Sequence, residues 1–229
     1  MRKSSKTIIR SLLQLLSVAF LAMFTIAAFA GFLDGGSAIV AGGFAFASID
    51  WEGGDNIGGF TSEAFLGLYH EVDTFPSLPE DPQSDEDLVT LSGNYAMKEG
   101  KHFVRIYVTP RTFGMEAENQ GEIDGKSFVQ KGTFFYPGGR EECVALARKL
   151  NNSRGILIGI DPNTGKRVQM GSREFPCHFS PKLNFGNEPT SRRGLTVEFE
   201  ADGFVPALFY PGAIPLSEGE IPAQGAGAE

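Results

Sequence analysis

The stretch that most constrains the fold is RRGLTVEFEADG, residues 192–203, because its apolar and polar side chains alternate. Three apolar residues fall on one face of an extended chain and three polar residues on the other: Leu195, Val197 and Phe199 against Thr196, Glu198 and Glu200. This period of two predicts a β-strand with one face buried and one face in solvent. The run FVPALFYPG, residues 204–212, follows directly and is too apolar to stand in solvent uncovered.

The composition favours many such strands. The 229 residues include 29 glycines and 20 phenylalanines, against one tryptophan and five tyrosines. Glycine supplies the positive φ angles that tight turns need, so this many glycines indicate many turns between short strands. A chain of this length can bury a core of its own. We therefore expect one mainly β domain with appendages.

The first 30 residues differ from the rest of the chain. They carry four cations, no acids and an apolar run that starts at Leu12 and ends in Ala28-Phe29-Ala30, before Gly31. This layout is typical of a secretory leader with small residues at its cleavage point. An uncleaved membrane anchor, or an apolar helix of a cytoplasmic protein, would give a similar pattern. Residues 1–30 are therefore predicted as an N-terminal apolar helix or leader, with these three alternatives open.

The charge of the chain limits its partners. The formal net charge is −8, and it becomes −12 once the four cations of residues 1–30 are removed. Proteins that grip nucleic acid neutralise phosphates with lysine and arginine, so an acidic domain argues against tight nucleic-acid binding. The two cysteines, Cys143 and Cys177, allow either a disulfide in an exported protein or two buried thiols.

The rest of the chain divides into four segments. Residues 31–72 are glycine-rich and predict an N-terminal arm with strands, able to pair with a sheet of the same chain or of a neighbour. Residues 73–88 combine prolines with acids and predict a solvated loop, since its acids lack the spacing and the glycine of a calcium loop. Residues 89–215 predict a β-domain with one helix, and residues 216–229 predict a flexible tail.

Within the β-domain, the strands and the helix have separate signatures. Turn residues predict strands around Ile106, from Phe128 to Tyr136, and on both sides of a turn at residues 161–165. One helix is predicted in residues 139–152, ending at Asn151 or Asn152, with acids in its first turn and cations in its last. Its apolar residues are spaced as one helical stripe: Cys143, Leu146, Ala147 and Leu150.

The sequence contains no recognisable catalytic constellation. A nucleophile elbow, a His-Glu-x-x-His motif, a phosphate-binding glycine loop and a Cys-x-x-Cys pair are all missing from the chain. The three histidines, His70, His102 and His178, are far apart in sequence, and each is interpreted as a surface or edge residue. We therefore predict no catalytic residues, no cofactor, no metal site and no enzymatic activity.

Four segments and the helix between them carry a resemblance to a known family. Their order is LSGNYAMKEGKHFVRIYVT, GEIDGKSFVQKGTFFYPGG, the helix, NNSRGILIGIDPNTGKRVQMGS and RRGLTVEFEADGFVPALFYPG. This layout resembles that of phage tail-tube and related virion structural proteins, particularly those of Bacteroidetes phages and prophage-like elements. The resemblance covers residues 91–212 and rests on turns and strand ends.

The resemblance implies a fold and a set of partners. The fold would be an antiparallel β-sandwich or barrel with one flanking α-helix. Subunits would form homo-oligomeric rings that stack, with other virion or tail proteins, into a hollow tube through which DNA leaves the capsid. The protein would then be located in the virion and need no cofactor.

A ring would also cover the apolar run after the alternating strand. Pro206 and Pro211 limit that run to strand edges, bulges or extended packing, because proline cannot donate to a β-ladder. A neighbouring subunit could cover it, together with aromatics of the N-terminal arm. The predicted subunit interface comprises Phe44, Phe46, Trp51, Val205, Leu208, Phe209 and Tyr210.

The leader-like segment supports a different hypothesis. Tail tubes assemble in the cytoplasm, where a secretory leader has no place. The alternative is an exported β-rich binding or structural domain, secreted or periplasmic after cleavage of residues 1–30. It would contact the membrane only if that segment stayed uncleaved.

Overall fold

Residues 194–203 form the strand that their alternation predicts. In the computed structural model, which describes residues 49–50 and 53–225, this strand buries Leu195, Val197, Phe199 and Ala201 and turns its charged residues to solvent. Residues 50–229 belong to one structural unit, and the description below concerns this unit.

The described part of the chain contains thirteen strands and one α-helix. The helix, α1, spans Glu141–Leu150. The strands are β1 Glu63–Leu68, β2 Val72–Thr74, β3 Ala96–Met97, β4 Val104–Tyr107, β5 Gly114–Gln120, β6 Ser127–Pro137, β7 Arg154–Ile160, β8 Arg167–Met170, β9 Cys177–Asn184, β10 Gly194–Gly203, β11 Leu208–Phe209, β12 Ile214–Leu216 and β13 Gly219–Ile221.

Nine of these strands form one large antiparallel sheet. Its order is β11-β8-β7-β9-β10-β6-β5, and β1 pairs with both β7 and β4. One edge of β7 pairs with β1, while β8 and β9 share the other edge, at opposite ends of the strand. The prediction of a mainly β, antiparallel fold with one helix is confirmed. The ladders between the described strands do not close this sheet on itself.

Two apolar cores lie on opposite faces of β1 and β7. The first core lies under β10 and is covered by α1; its buried residues are Ala64, Leu66, Ile106, Val108, Phe113, Phe134, Cys143, Leu150, Leu157, Met170, Cys177, Phe179, Leu195, Val197, Phe199 and Ala201. The second core comprises Phe65, Val72, Leu91, Tyr95, Phe103, Ile156, Ile158, Leu208, Tyr210 and Ile214. Because both faces of β7 are covered, its sequence GILIGI is continuously apolar rather than alternating.

The helix agrees closely with its prediction. Cys143 and Leu150 are buried, and the predicted acids and cations occupy its first and last turns. The chain leaves the helix through Asn152, whose φ of 61° is a left-handed conformation that asparagine tolerates well. The stripe therefore packs α1 against the first core, as its spacing requires.

The predicted segment boundaries need one correction. In residues 31–72, β1 pairs on both edges inside the main sheet, which is the same-chain pairing that the sequence allowed for this segment. Residues 216–229 were expected to be a loose tail, yet β12 and β13 form a hairpin there. That hairpin is held by the buried Arg167, whose guanidinium donates to the carbonyl oxygens of Gly212 and, at 2.8 Å, of Pro222.

Candidate functional site

The predicted interface segment, residues 204–212, is fastened to its own subunit. The buried side-chain amide of Gln130 donates to the carbonyl oxygens of Val205 and Pro206, each at 3.3 Å. Strand β11 then pairs with β8, and the backbone N–H of Tyr210 donates to the Arg167 carbonyl at 2.9 Å. The prolines of the segment thus flank a short edge strand, which is a position that proline permits.

Two residues of the predicted interface are covered by their own chain. Leu208 is 6% exposed and Tyr210 is fully buried, both in the second core. The Tyr210 hydroxyl donates to the Ala213 carbonyl and accepts the backbone N–H of Tyr95 at 3.2 Å. Their side chains are not available to a neighbouring subunit, and we remove both from the predicted interface. The sequence could not show this, because the covering residues come from distant segments, such as Tyr95, which lies 115 positions from Tyr210.

The remaining interface residues stay predictions. Val205 and Phe209 are partly exposed, and the Lys166 ammonium lies 5.7 Å from the centre of the Phe209 ring. Phe44, Phe46 and Trp51 lie outside the described residues.

An exposed aromatic residue was missed by the sequence reasoning. The Phe204 side chain is 75% exposed and meets Phe175 edge to face, with ring centroids 5.2 Å apart. We call Phe175, Phe204 and Val205 the aromatic face. A signal was available, since extending the alternation of β10 by one residue beyond Gly203 places Phe204 on the same side as the solvent-facing Glu200.

An open sheet edge lies close to the aromatic face. Among the described strands, β5 has one ladder partner, β6, so its other edge carries main-chain groups outside any ladder. The Gln120 side chain at the end of β5 donates to Asp202 of β10 at 2.7 Å, two residues before Phe204. The open edge and the aromatic face therefore occupy the same end of the sheet.

A pocket of about 350 Å³ opens between β1, β4 and the C-terminal end of α1. Its floor is apolar and continues the first core: Leu66, Leu68, Leu146 and Leu150. Its rim is polar and mostly basic: His70, Glu71, Lys101, His102, Lys149 and Ser153. Val104 shares a face with the buried Ile106 but is 45% exposed, because it lies at the mouth of this pocket.

The pocket brings together two histidines that the sequence treats as unrelated. His70 and His102 both line its rim. The Glu71 carboxylate lies 2.9 Å from the Lys101 ammonium and 3.9 Å from the His70 ring. Across the described residues, no group of three or more His, Cys, Asp or Glu side chains is placed to hold a metal ion.

The two cysteines are buried, unbridged thiols. Burial raises the pKa of Cys177 to about 12 and also raises the pKa of Cys143. A thiol must lose its proton to act as a nucleophile, so both side chains are inert at neutral pH. They pack in the first core as small apolar groups.

The acidic loop at residues 73–88 uses one of its acids to order itself. The Asp87 carboxylate accepts the backbone N–H groups of Gln83 and Ser84 at 2.9 and 3.0 Å. The hydrogen bond from Gln83 is the main reason that the pKa of Asp87 is lowered. This carboxylate is therefore engaged with its own loop.

No helix in the described part of the chain is long and apolar enough to cross a membrane. Comparisons of the chain with family models, with curated proteins and with solved structures gave no match.

Proposed function

We propose that this chain is a non-enzymatic structural protein that assembles with copies of itself, and that its most specific form is a ring-forming, tail-tube-like virion component. The proposal extends the sequence resemblance of residues 91–212. Its partners would be further copies of the chain and other virion proteins.

The exposure of Phe204 is the observation that carries the proposal. A phenylalanine that is 75% exposed loses the benefit of burial, which amounts to roughly 1.5–3 kcal/mol for a full side chain. Single exposed apolar residues are common on monomers, but this ring contacts Phe175, and the partly buried Val205 lines the same surface cavity as both rings. A second subunit that covered the aromatic face would recover that free energy.

The open edge of β5 supports the same proposal. A strand with an uncovered edge can add a strand from another chain, and the main-chain hydrogen bonds then join the two subunits. In such a contact, the β5 edge of one subunit would meet a different surface of its neighbour. Head-to-tail contacts of this kind form rings when the rotation from one subunit to the next closes a circle. The net charge of −8 would suit the wall of such a tube, because DNA could move along an acidic surface without binding to it.

The test replaces Phe204 by serine in the full chain and uses Phe185→Ser as the matched control. Phe185 is also exposed, at 55%, but its ring contacts the Arg193 guanidinium, away from the aromatic face. Sedimentation velocity over a range of concentrations would measure assembly, and circular dichroism would check the fold. We expect Phe204→Ser to abolish large assemblies and Phe185→Ser to retain them, with the β signal unchanged in both.

Two results would contradict the proposal. One is a wild-type chain that stays monomeric at every concentration. The other is a Phe204→Ser chain that assembles as the wild type does. Electron microscopy of the assemblies then tests the narrower proposal, because a tail-tube-like protein would form rings with a constant bore.

A second candidate is an exported β-rich binding domain, and one observation favours it. The pocket beside α1 is within the size range of small-molecule sites and combines an apolar floor with a few polar groups. A monomeric, correctly folded chain in the sedimentation experiment would favour this candidate over assembly.

A further inference from the structure

The pocket beside α1 has two distinct parts, and each restricts what can bind. Leu66 and Leu150 of its floor are almost completely buried in the first core, so the floor is a rigid apolar surface. The rim holds two lysines and one carboxylate, and the Lys101 ammonium is paired with that carboxylate at 2.9 Å. The rim therefore keeps a surplus positive charge in a chain whose net charge is −8.

Lys149 supplies this surplus charge. Its side chain lies in the last turn of α1 and lines the pocket, and no carboxylate of the described residues is within ion-pair distance of its ammonium. The carbonyl groups at a helix C-terminus carry a partial negative charge, which opposes an anion there. That charge is only about half a unit, and the Ser153 hydroxyl already donates to one of these carbonyls, that of Lys149. The full positive charge of the Lys149 ammonium therefore outweighs the partial negative charge of the helix C-terminus, and the site favours an anion.

We propose that the pocket binds a medium-chain carboxylic acid, with the carboxylate at Lys149 and the alkyl chain on the leucine floor. The pocket has a volume of about 350 Å³, which is large enough for such a ligand, since the volumes of small-molecule sites begin at about 300 Å³. Each methylene that the floor removes from water strengthens binding by about fourfold at most. The inference rests on the pocket alone, so its failure would leave the assembly proposal untouched.

The first experiment measures the ligand requirement by calorimetry with the full chain. The probes are butyrate, hexanoate and octanoate, with octylammonium as an eight-carbon probe of the opposite charge. We expect affinity to rise from butyrate to octanoate and octanoate to bind more tightly than the cation. Equal affinity for the two eight-carbon probes, no increase with chain length, or no binding of octanoate would overturn the proposal.

The second experiment locates the site with charge-matched variants. Lys149→Glu should weaken octanoate binding by about tenfold, because an attractive charge becomes a repulsive one. Arg148→Glu makes the same change on the neighbouring residue, which does not line the pocket, and should alter the affinity by less than about twofold. Equal weakening in both variants would show a general charge effect and overturn the assignment.

The third experiment fills the pocket without changing its charge. Val104→Trp places a large side chain at the mouth and should abolish octanoate binding. Tyr107→Trp is the control, since Tyr107 lies on the same strand and is 53% exposed but does not line the pocket. Circular dichroism would confirm that both variants are folded. Unchanged binding in Val104→Trp would overturn the proposal.

Discussion

The two cores of this protein are built in different ways. The first core contains only apolar side chains and two thiols, supplied mainly by regular strands and α1. The second core contains two buried tyrosines that are hydrogen-bonded, and much of it comes from connections and short strands. Tyr95 donates to the side chain of Gln169 at 2.8 Å, and Gln169 in turn donates to the Gly171 carbonyl at 3.0 Å.

The difference shows which interactions stabilise each core. The side chains of the first core stabilise it by packing, so the free energy of unfolding lost on truncating one of them follows the volume removed. In the second core, each buried polar group needs one particular partner, and losing the partner leaves the other group unpaired. The second core is therefore specific in its contacts, and it holds residues 204–225 in place.

Removal of packing volume from the first core should have the largest effect. Leu157 is fully buried on β7, and Leu157→Ala should lower the free energy of unfolding by about 2–5 kcal/mol, because the cavity cannot fully collapse. Denaturant unfolding followed by circular dichroism measures this change. Leu88→Ala is the control, since Leu88 is 39% exposed and should cost far less. Similar losses in both variants would refute the packing account.

Removal of one hydroxyl from the second core should have an intermediate effect. Tyr210→Phe leaves the Tyr95 N–H and the Ala213 carbonyl without their partner and should cost about 1–3 kcal/mol. The same unfolding measurement applies, with Tyr107→Phe as control because Tyr107 is 53% exposed to water. If both substitutions are equally harmless, hydrogen bonds do not distinguish the two cores.

The first core could be predicted from sequence because its signals are local. The alternation in β10 and the stripe of α1 each identify their buried face within ten residues. The second core could not be predicted in this way. Its contacts join positions as distant as Tyr95 and Tyr210, and Arg167 ties the C-terminal hairpin to β8 through carbonyl groups that have no sequence signature.

The candidate sites were predictable only in part. The apolar run at residues 204–212 was found, yet the division between its buried and exposed side chains depends on where β11 pairs with β8. Phe204 could have been found by extending the alternation of β10. The pocket could not, because its rim joins β1, β4 and α1, whose order along the chain says nothing about their proximity.

Alkaline pH should separate the two cores with the smallest change in stability. Burial raises the pKa of Cys177 from 9.0 to about 12, so the unfolded chain loses this proton before the folded chain does. The thiol's contribution to stability is complete below pH 9 and is lost as the pH rises toward 12, because the unfolded state then binds fewer protons. The loss should be about 1.4 kcal/mol one pH unit above the unfolded value.

Burial also raises the pKa of Tyr95 above 10.0, so the second core should respond only at higher pH. Urea unfolding from pH 8 to 10.5, with a reductant present, measures both. Cys177→Ala should flatten the slope from pH 9 upward, whereas Tyr95→Phe should change it only above pH 10. An unchanged slope in Cys177→Ala would contradict the assignment of the first response to the first core.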